Sequence, residues 1–270
     1  MNRKGINKKI FIGWLMLFFI TQISVFGQTT YVIKPKTDFS LIGIGAVSLT
    51  LGQVLGNNSI PLTTQEINGL NPSQINSFDR NAVFNYSQNA EMASDILLYS
   101  SIAVPLSLLL DENARNEWIT IGVMGIEVLM VTSGITNTIK PVALRSRPLA
   151  YNSEVPEGVK MEVDTRYSFF SGHTAVSASM TFFAAKVFSD LNPDSKWKPV
   201  VWVGAITIPA ATAWARVEAG KHFPTDVIAG YAIGAAIGYL IPVMHLQKDA
   251  TKAQLKLMPT FNGMAMQLVF

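Results

Sequence analysis

The sequence contains no cysteine among its 270 residues. This absence excludes disulfide bonds, zinc sites built on thiolates and cysteine nucleophiles. Charged residues are also scarce, at 14% of the chain, whereas soluble domains average roughly 25%. The net charge is +3, but the lysines and arginines form no run beyond the N-terminus, so nucleic acid is not a predicted partner.

Hydrophobic residues, by contrast, make up 49% of the chain. With so few charges available for a water-facing surface, this composition predicts that much of the surface faces a lipid bilayer. Six apolar runs follow one another after the N-terminal region, at residues 39–56, 93–110, 118–137, 172–189, 199–215 and 225–243. Each run approaches the ~20 residues that cross a hydrocarbon core. We therefore predict an all-α, membrane-embedded six-helix bundle.

The N-terminus has the layout of an export signal. An apolar stretch over residues 10–26 follows the basic residues Arg3, Lys4, Lys8 and Lys9. Residues 1–27 are therefore predicted to be a signal peptide or an uncleaved signal anchor. Residues 28–92 form an apolar segment and a polar loop, 93–245 the helical core, and 246–270 a C-terminal tail. In that tail, Asn262-Gly263 lies between two strand-like runs and predicts a short β-hairpin-like structure.

Three short stretches that lie far apart in sequence carry phosphate-compatible groups. They hold Lys140 with Arg147, then Ser171-Gly172-His173, then Arg216 with His222 and Asp226. The first follows the third predicted helix, the second opens the fourth, and the last joins the fifth to the sixth. In a bundle of alternating helices these three places lie at one end.

The residue types of this set suit phosphoryl transfer. Lys140, Arg147 and Arg216 offer donors to phosphate oxygens and stabilise developing charge. Ser171 and Gly172 lie at a helix start, where free backbone N–H groups favour an anion.

The two histidines of the set suit nucleophilic and acid–base roles. Asp226, four residues after His222, reaches back to one imidazole nitrogen, so that the other nitrogen attacks phosphorus. His173 is then left as the general acid and as the base that activates water.

These motifs resemble the type 2 phosphatidic acid phosphatase superfamily, which includes bacterial acid phosphatases and vanadium haloperoxidases. The resemblance covers residues 90–243 and implies phosphate binding by Lys140, Arg147, Ser171, Gly172 and Arg216. It also implies His222 as nucleophile, Asp226 as its orienting group and His173 as acid. Two positions depart from the usual pattern, because Phe170 replaces a proline and Ala215 replaces a serine. Neither departure removes a charged group.

The predicted function is therefore removal of phosphate from a lipid phosphate, as a phosphomonoesterase or pyrophosphatase, through a phosphohistidine, with no metal and no cofactor. The apolar composition favours a lipid substrate and contact with membrane lipids. Two alternatives stay open. One is a soluble-substrate acid phosphatase or vanadium haloperoxidase, and the other is a non-enzymatic phospholipid-binding membrane protein.

Several other residues receive structural interpretations. His245 is predicted to be packed, and Arg145, Arg166 and Lys221 are interpreted as solvated or headgroup-facing. Glu127, inside an apolar run, is either a functional group or a buried partner for another helix. Phe169 and Phe170 either line a lipid-tail groove, pack inside the protein or act as anchors at the membrane interface.

The predicted location is the bacterial inner membrane, with the site facing the periplasm, or a soluble periplasmic form. If the signal is exported and residues 39–56 span the membrane, three spans precede Lys140 and the site faces the cytoplasm instead. A periplasmic site then requires that residues 39–56 lie on the membrane or re-enter it, or that the protein is wholly soluble.

Overall fold

The structure is a computed structural model, and it describes residues 29–57, 59–247, 254–260 and 263–269. The predicted signal segment, residues 1–27, lies outside the described residues. Six long helices form the bundle: α1 (Pro35–Gly56), α2 (Gln88–Ala103), α3 (Trp118–Ala143), α4 (Gly172–Leu191), α5 (Lys198–Glu218) and α6 (Pro224–His245). They coincide in order with the six apolar runs, so the predicted helical class is confirmed.

The predicted total of six helices is wrong, because the polar connections of the described chain contain further short helices. The α-helical ones are Thr64–Gly69, Ser77–Arg80, Glu112–Asn116, Pro148–Tyr151 and Glu157–Lys160. Short 3₁₀ helices occupy Pro72–Gln74, Asn81–Phe84, Val104–Leu110 and Val163–Arg166. Local caps stabilise several of them, such as the capping box in which Thr63 and Glu66 bond each other's backbone. Segments this short carry no hydrophobic period from which to predict them.

Beyond α6, the backbone of β1 (Gln254–Thr260) pairs antiparallel with β2 (Gly263–Val269). At the other end of the described chain, Tyr31 forms an isolated antiparallel bridge with Leu246. This bridge ties the segment before α1 to the end of α6.

Helix α4 runs through the centre of the bundle, where it contacts α2, α3, α5 and α6. Three glycines of α6 allow it to pack closely against α4. A Cβ atom at Gly230, Gly234 or Gly238 would lie 2.5, 2.0 or 2.1 Å from a backbone carbonyl oxygen of α4. The four-residue glycine spacing of α6 therefore lets the two backbones touch.

Helices α1 and α3 lie side by side and run in the same direction. A Cβ atom at Gly45 would lie 2.8 Å from the Cβ of Met130, and one at Gly52 would lie 2.6 Å from the backbone of Asn137. Gly45 lies against Met130, and Gly52 lies against Asn137, so the contacts advance in the same direction along both helices. Helix α1 is therefore parallel to α3 and packs along it. Residues 39–56 therefore form a full helix of the bundle, in contrast to the re-entrant or surface-lying arrangement considered above.

Five segments of the described chain are long and apolar enough to cross a membrane: Pro35–Gly56, Gln88–Leu110, Trp118–Tyr151, Lys198–Glu218 and Pro224–His245. Large apolar side chains project outward from them, among them Phe39, Val47, Val54, Ile96, Tyr99, Val203, Trp214, Ile228 and Leu240. Lipid is the solvent that accepts such a surface. The architecture is that of an integral membrane protein, which disfavours the wholly soluble alternative.

The direction of the helices defines two ends of the bundle. We call one the site end, where α1, α3 and α5 finish and where α2, α4 and α6 begin. We call the other the terminal end, because the Tyr31–Leu246 bridge lies there. The three motif stretches all fall at the site end, as the alternation of helices predicts.

Candidate active site

His222 lies at the centre of the site end, just before α6, and is only 1% exposed. Burial is the first cause that holds the pKa of His222 well below its usual range, and the positive charges of Arg147, Arg216 and Lys140 act in the same direction. The structure therefore brings the three predicted cations around this imidazole, which is neutral at pH 7.

The orientation of the His222 ring is fixed by a backbone carbonyl. Nδ1 donates to the carbonyl oxygen of Ser168 at 2.6 Å. A neutral imidazole has a single N–H, so this bond leaves the lone pair on Nε2. The ring is thus held in the tautomer in which Nε2 carries the free lone pair.

Asp226 does not form the direct hydrogen bond to His222 that its spacing predicts. Its Oδ2 lies 3.9 Å from Nδ1 of the imidazole. The same oxygen accepts from the hydroxyl of Ser168 at 2.5 Å and from the backbone N–H of Phe223 at 2.9 Å. The backbone N–H of Phe223, the residue just before α6, competes for the carboxylate, which turns toward it. Ser168 therefore connects the carboxylate to the imidazole.

Arg145 supports Asp226 from the opposite side. One guanidinium nitrogen bonds Asp226 and the hydroxyl of Thr225, and the other bonds Asp79 at 2.7 Å. Asp79 is fully buried and also accepts from the backbone N–H of Thr225 at 2.9 Å. The guanidinium stacks over the ring of Phe223, 4.1 Å from its centroid. The interpretation of Arg145 as solvated or headgroup-facing is wrong, because it pairs with two buried carboxylates. Asp79 was missed because it lies in a distant polar connection.

His173, the second residue of α4, pairs with Asp95 of α2. Its Nε2 lies 2.8 Å from Oδ1 of Asp95, and that oxygen lies 3.8 Å from the guanidinium of Arg216. Burial first, then the charge of Arg216, lower the pKa of His173 to about 4, although Asp95 opposes them. Sequence reasoning missed Asp95, yet an ionisable residue inside an apolar run was the signal that could have found it.

The two arginines retain donors for an anion. Arg147 pairs with Asp164 at 2.5 Å, and Arg216 donates to the hydroxyl of Ser94 at 3.2 Å. The Nε atoms of Arg147 and Arg216 are nevertheless buried without a hydrogen-bond partner among the described residues. A buried N–H without an acceptor is costly, and a phosphate oxygen would relieve that cost.

The start of α4 is shaped by Ser171 and Gly172. The hydroxyl of Ser171 accepts from the backbone N–H of Thr174 at 3.4 Å, which caps the helix. The backbone N–H of Ser171 donates to the carbonyl oxygen of Asp226 at 3.1 Å and ties α4 to α6. A Cβ atom at Gly172 would lie 3.0 Å from a methyl carbon of Thr136, so a larger residue would crowd α3.

Two of the basic residues that match no motif, Lys221 and Arg166, have carboxylate partners. Lys221 pairs with Glu91 at 2.7 Å, and Arg166 pairs with Glu66 at 2.8 Å, outside the cluster around His222. Gly220 precedes Lys221 with a φ of 68°, and a Cβ atom there would lie 2.3 Å from the carbonyl oxygen of Asn85. Glycine alone fits this turn, which delivers the histidine to the site.

The aromatic pair before α4 divides between two environments. Phe170 is 1% exposed and packs inside the protein, whereas Phe169 is half-buried. The packing interpretation of Phe170 is therefore correct.

Comparison with known proteins supports the resemblance drawn from the motifs. Residues 122–250 match the PAP2 superfamily, and this range contains all eight predicted site residues. The family match ends at residue 250, before β1 begins. It therefore does not support the predicted C-terminal hairpin as part of the family fold.

One relative of similar sequence agrees with the family match. The chain is 27% identical over 149 residues to a protein named lipid A 4'-phosphatase from Porphyromonas gingivalis. This alignment covers 54% of the chain and 59% of that relative. Among solved structures, a transmembrane PAP2-type phosphatidylglycerolphosphate phosphatase from Bacillus subtilis is similar with a TM-score of 0.43 and 18% identity, over 76% of this chain and 96% of that one. The predicted resemblance to the type 2 phosphatidic acid phosphatases is confirmed.

Proposed function

From the match of residues 122–250 to the PAP2 superfamily, we propose that the protein is a phosphatase that hydrolyses a lipid phosphate through a phosphohistidine at His222. One observation carries this proposal. The Nδ1 of a buried His222 is fixed by the carbonyl of Ser168, which leaves Nε2 as a nucleophile in the field of three cations.

Substrate phosphate binds among Lys140, Arg147 and Arg216 in this mechanism. The buried Nε donors of the two arginines bond its non-bridging oxygens, and the N-terminus of α4 adds the backbone N–H of Gly172. These fixed charges stabilise the transition state of phosphoryl transfer, so the proposed reaction needs no metal ion.

In the first step, Nε2 of His222 attacks phosphorus and forms an N–P bond while the ester P–O bond breaks. His173 gives its proton to the departing alcohol oxygen. The negative charge of bound phosphate offsets the cations that lower the pKa of His173 in the free protein, and so favours its protonated form. The Ser168 carbonyl and, through Ser168, Asp226 stabilise the positive charge that develops on His222.

In the second step, His173 accepts a proton from water, and the resulting hydroxide attacks phosphorus. The N–P bond breaks, inorganic phosphate is released and His222 returns to its neutral state. One imidazole thus serves as acid and then as base, as microscopic reversibility requires.

A lipid phosphate is the favoured substrate because four of the helices around the site, α2, α3, α5 and α6, lie in membrane-spanning candidates with outward apolar faces. A lipid keeps its tails in the bilayer while its phosphate reaches His222 at the site end. Phosphatidic acid, phosphatidylglycerol phosphate, a prenyl pyrophosphate and lipid A are the candidates to compare. Turnover restricted to a water-soluble ester, or vanadate-dependent halide oxidation, would favour the alternative assignment.

We place the site on the periplasmic side of the inner membrane. Lys34, Lys36, Lys196 and Lys198 lie at the terminal end, which suits the cytoplasmic side. Because residue 29 and the site lie at opposite ends of α1, a periplasmic site places residue 29 in the cytoplasm. If an export signal instead carries residue 28 to the periplasm, the start of α1 lies on the periplasmic side and the site faces the cytoplasm.

Reporter fusions distinguish the two orientations. A reporter active only outside the cytoplasm is fused after residue 155, at the site end, or after residue 195, at the terminal end. The proposal expects activity at 155 and none at 195. The reverse pattern overturns the periplasmic orientation.

The catalytic proposal is tested with the purified full chain in detergent. Phosphate release is measured from each lipid with and without EDTA, and the protein is probed for an acid-labile phosphoryl group. Wild-type protein is expected to be active in both buffers and to form the phosphoprotein, whereas His222→Ala loses both. The matched control is Arg166→Met, which removes a cation outside the cluster. Activity that persists in His222→Ala contradicts the mechanism.

A further inference from the structure

A second cluster of ionisable side chains lies at the terminal end, at the opposite end of α6 from His222. Asp38 of α1, Glu127 of α3 and His245 of α6 face one another, and one ligand atom from each lies within 4.8 Å of the others. Their exposures are 6%, 0% and 0%. Three separate helices therefore bring three metal-ligating groups into one buried position.

The imidazole of His245 is oriented as a ligand. Its Nδ1 lies 2.8 Å from the carbonyl oxygen of Ile241 and donates to it. Its Nε2 points at the carboxylates, 2.6 Å from Oδ1 of Asp38 and 3.4 Å from Oε2 of Glu127. A histidine that donates one ring N–H to a backbone carbonyl and turns the other nitrogen inward is the usual arrangement of a metal ligand.

The carboxylates lack the partners that buried charges require. Oδ2 of Asp38 and both oxygens of Glu127 are buried and have no hydrogen-bond partner among the described residues. Within the same part of the chain, no lysine or arginine lies within 4.0 Å of either carboxylate, and His245 is the only basic side chain in that range. Unpaired buried carboxylates are strongly unfavourable, so this position calls for a further positive charge.

We propose that Asp38, Glu127 and His245 bind a divalent cation of the class that accepts imidazole nitrogen and carboxylate oxygen together, for which Zn²⁺ is the probe. Two carboxylates and a neutral imidazole carry a charge of −2, which a divalent cation balances. Zinc bonds such ligands at about 2.0–2.2 Å, so small side-chain rotations bring all three groups onto one ion. The orphaned oxygens of Glu127 and Asp38 then become ligands.

The role of this ion is structural. It joins the start of α1 to α3 and to the end of α6, where Lys34 already donates to the carbonyl oxygens of Met244 and Leu246 at 2.7 and 2.8 Å. The ion takes no part in phosphoryl transfer because it is at the end of the bundle away from the site. It also explains why an apolar helix contains Glu127.

The test uses the full chain, purified in detergent without a histidine tag. The protein is incubated with Zn²⁺, passed through a short EDTA wash by gel filtration, and assayed for bound zinc and for its Tm. Wild-type protein is expected to retain about one zinc per chain and to melt at a higher temperature with zinc. Glu127→Gln is expected to retain at least about tenfold less and to lose the zinc-dependent Tm shift.

Two controls separate this position from the rest of the molecule. Glu66→Gln removes an exposed carboxylate, and His222→Ala removes the proposed nucleophile, so both should retain zinc as the wild type does. Should Glu127→Gln fail to fold, His245→Asn is assayed in its place. Wild-type protein that retains no zinc and shows no Tm shift overturns the proposal, as does a folded Glu127→Gln that binds zinc normally. Loss of zinc in His222→Ala alone would assign the metal to the other end.

Discussion

Oδ1 of Asp95 lies 2.8 Å from Nε2 of His173 and 3.8 Å from the guanidinium of Arg216, so one carboxylate lies next to both the proposed acid and a proposed phosphate-binding cation. Its negative charge stabilises the protonated imidazole against burial and against Arg216, which together lower the pKa of His173 to about 4. We therefore infer that Asp95 is a positioning residue that sets the pKa of the proposed acid.

The first prediction is that Asp95→Asn lowers kcat more than it changes KM. Without the carboxylate, the pKa of His173 falls further, so the alkaline limb of the kcat–pH profile moves to lower pH. On that limb, each unit of displacement costs about tenfold in rate. Glu91→Gln is the matched control, because it removes a carboxylate one turn earlier on α2 that pairs with Lys221 and not with His173. Equal pH profiles for Asp95→Asn and wild type would refute the tuning role.

The second prediction concerns Arg145, whose two nitrogens join Asp226 to Asp79. Arg145→Lys keeps the charge but loses the fork that contacts both carboxylates. Loss of charge-assisted hydrogen bonds, each worth about 1.5–3 kcal/mol, should reduce kcat roughly ten- to hundredfold. Arg166→Lys alters an arginine that pairs with exposed Glu66, and its kcat should match the wild type. Steady-state phosphate release measures both variants, and equal losses would contradict a specific role for Arg145.

The contrast between Arg145 and Arg147 shows what the sequence allowed us to predict. Arg147 was predicted to bind phosphate because it belongs to a motif whose residue types and spacing are visible in the sequence. The long helices were predicted because each is encoded by one continuous apolar run. Arg145, Asp79 and Ser168 act through contacts between separate elements, which no spacing rule encodes. The predicted direct bond from Asp226 to His222 is absent because the carboxylate accepts from the backbone N–H of Phe223 and from the hydroxyl of Ser168 instead.

The third prediction is that Gly234→Ala destabilises the bundle. The added Cβ would lie 2.0 Å from the carbonyl oxygen of Ala175, so α4 and α6 must separate. Overpacking of this kind costs about 1–3 kcal/mol or more, and each kcal/mol lowers the Tm by roughly 2–4 °C in a chain of this size. Gly122→Ala on α3 is the control, since nothing lies within 4 Å of its added Cβ and alanine favours the helix. A Tm for Gly234→Ala at or above that of Gly122→Ala would contradict the close contact.

The fourth prediction is that the protein loses stability as the pH falls below about 6.5, the ordinary pKa of histidine. Burial and three cations hold the pKa of folded His222 well below that value, so the unfolded chain binds a proton that the folded protein excludes. The contribution of His222 is therefore complete above about pH 6.5 and declines as the pH falls toward the folded pKa, by up to about 1.4 kcal/mol per pH unit. His222→Asn keeps an N–H donor for the Ser168 carbonyl but does not ionise. The Tm of this variant, measured in detergent between pH 7.5 and 5.5, should therefore fall less steeply than that of the wild type. Identical slopes would mean that the His222 environment in the folded protein does not exclude the proton.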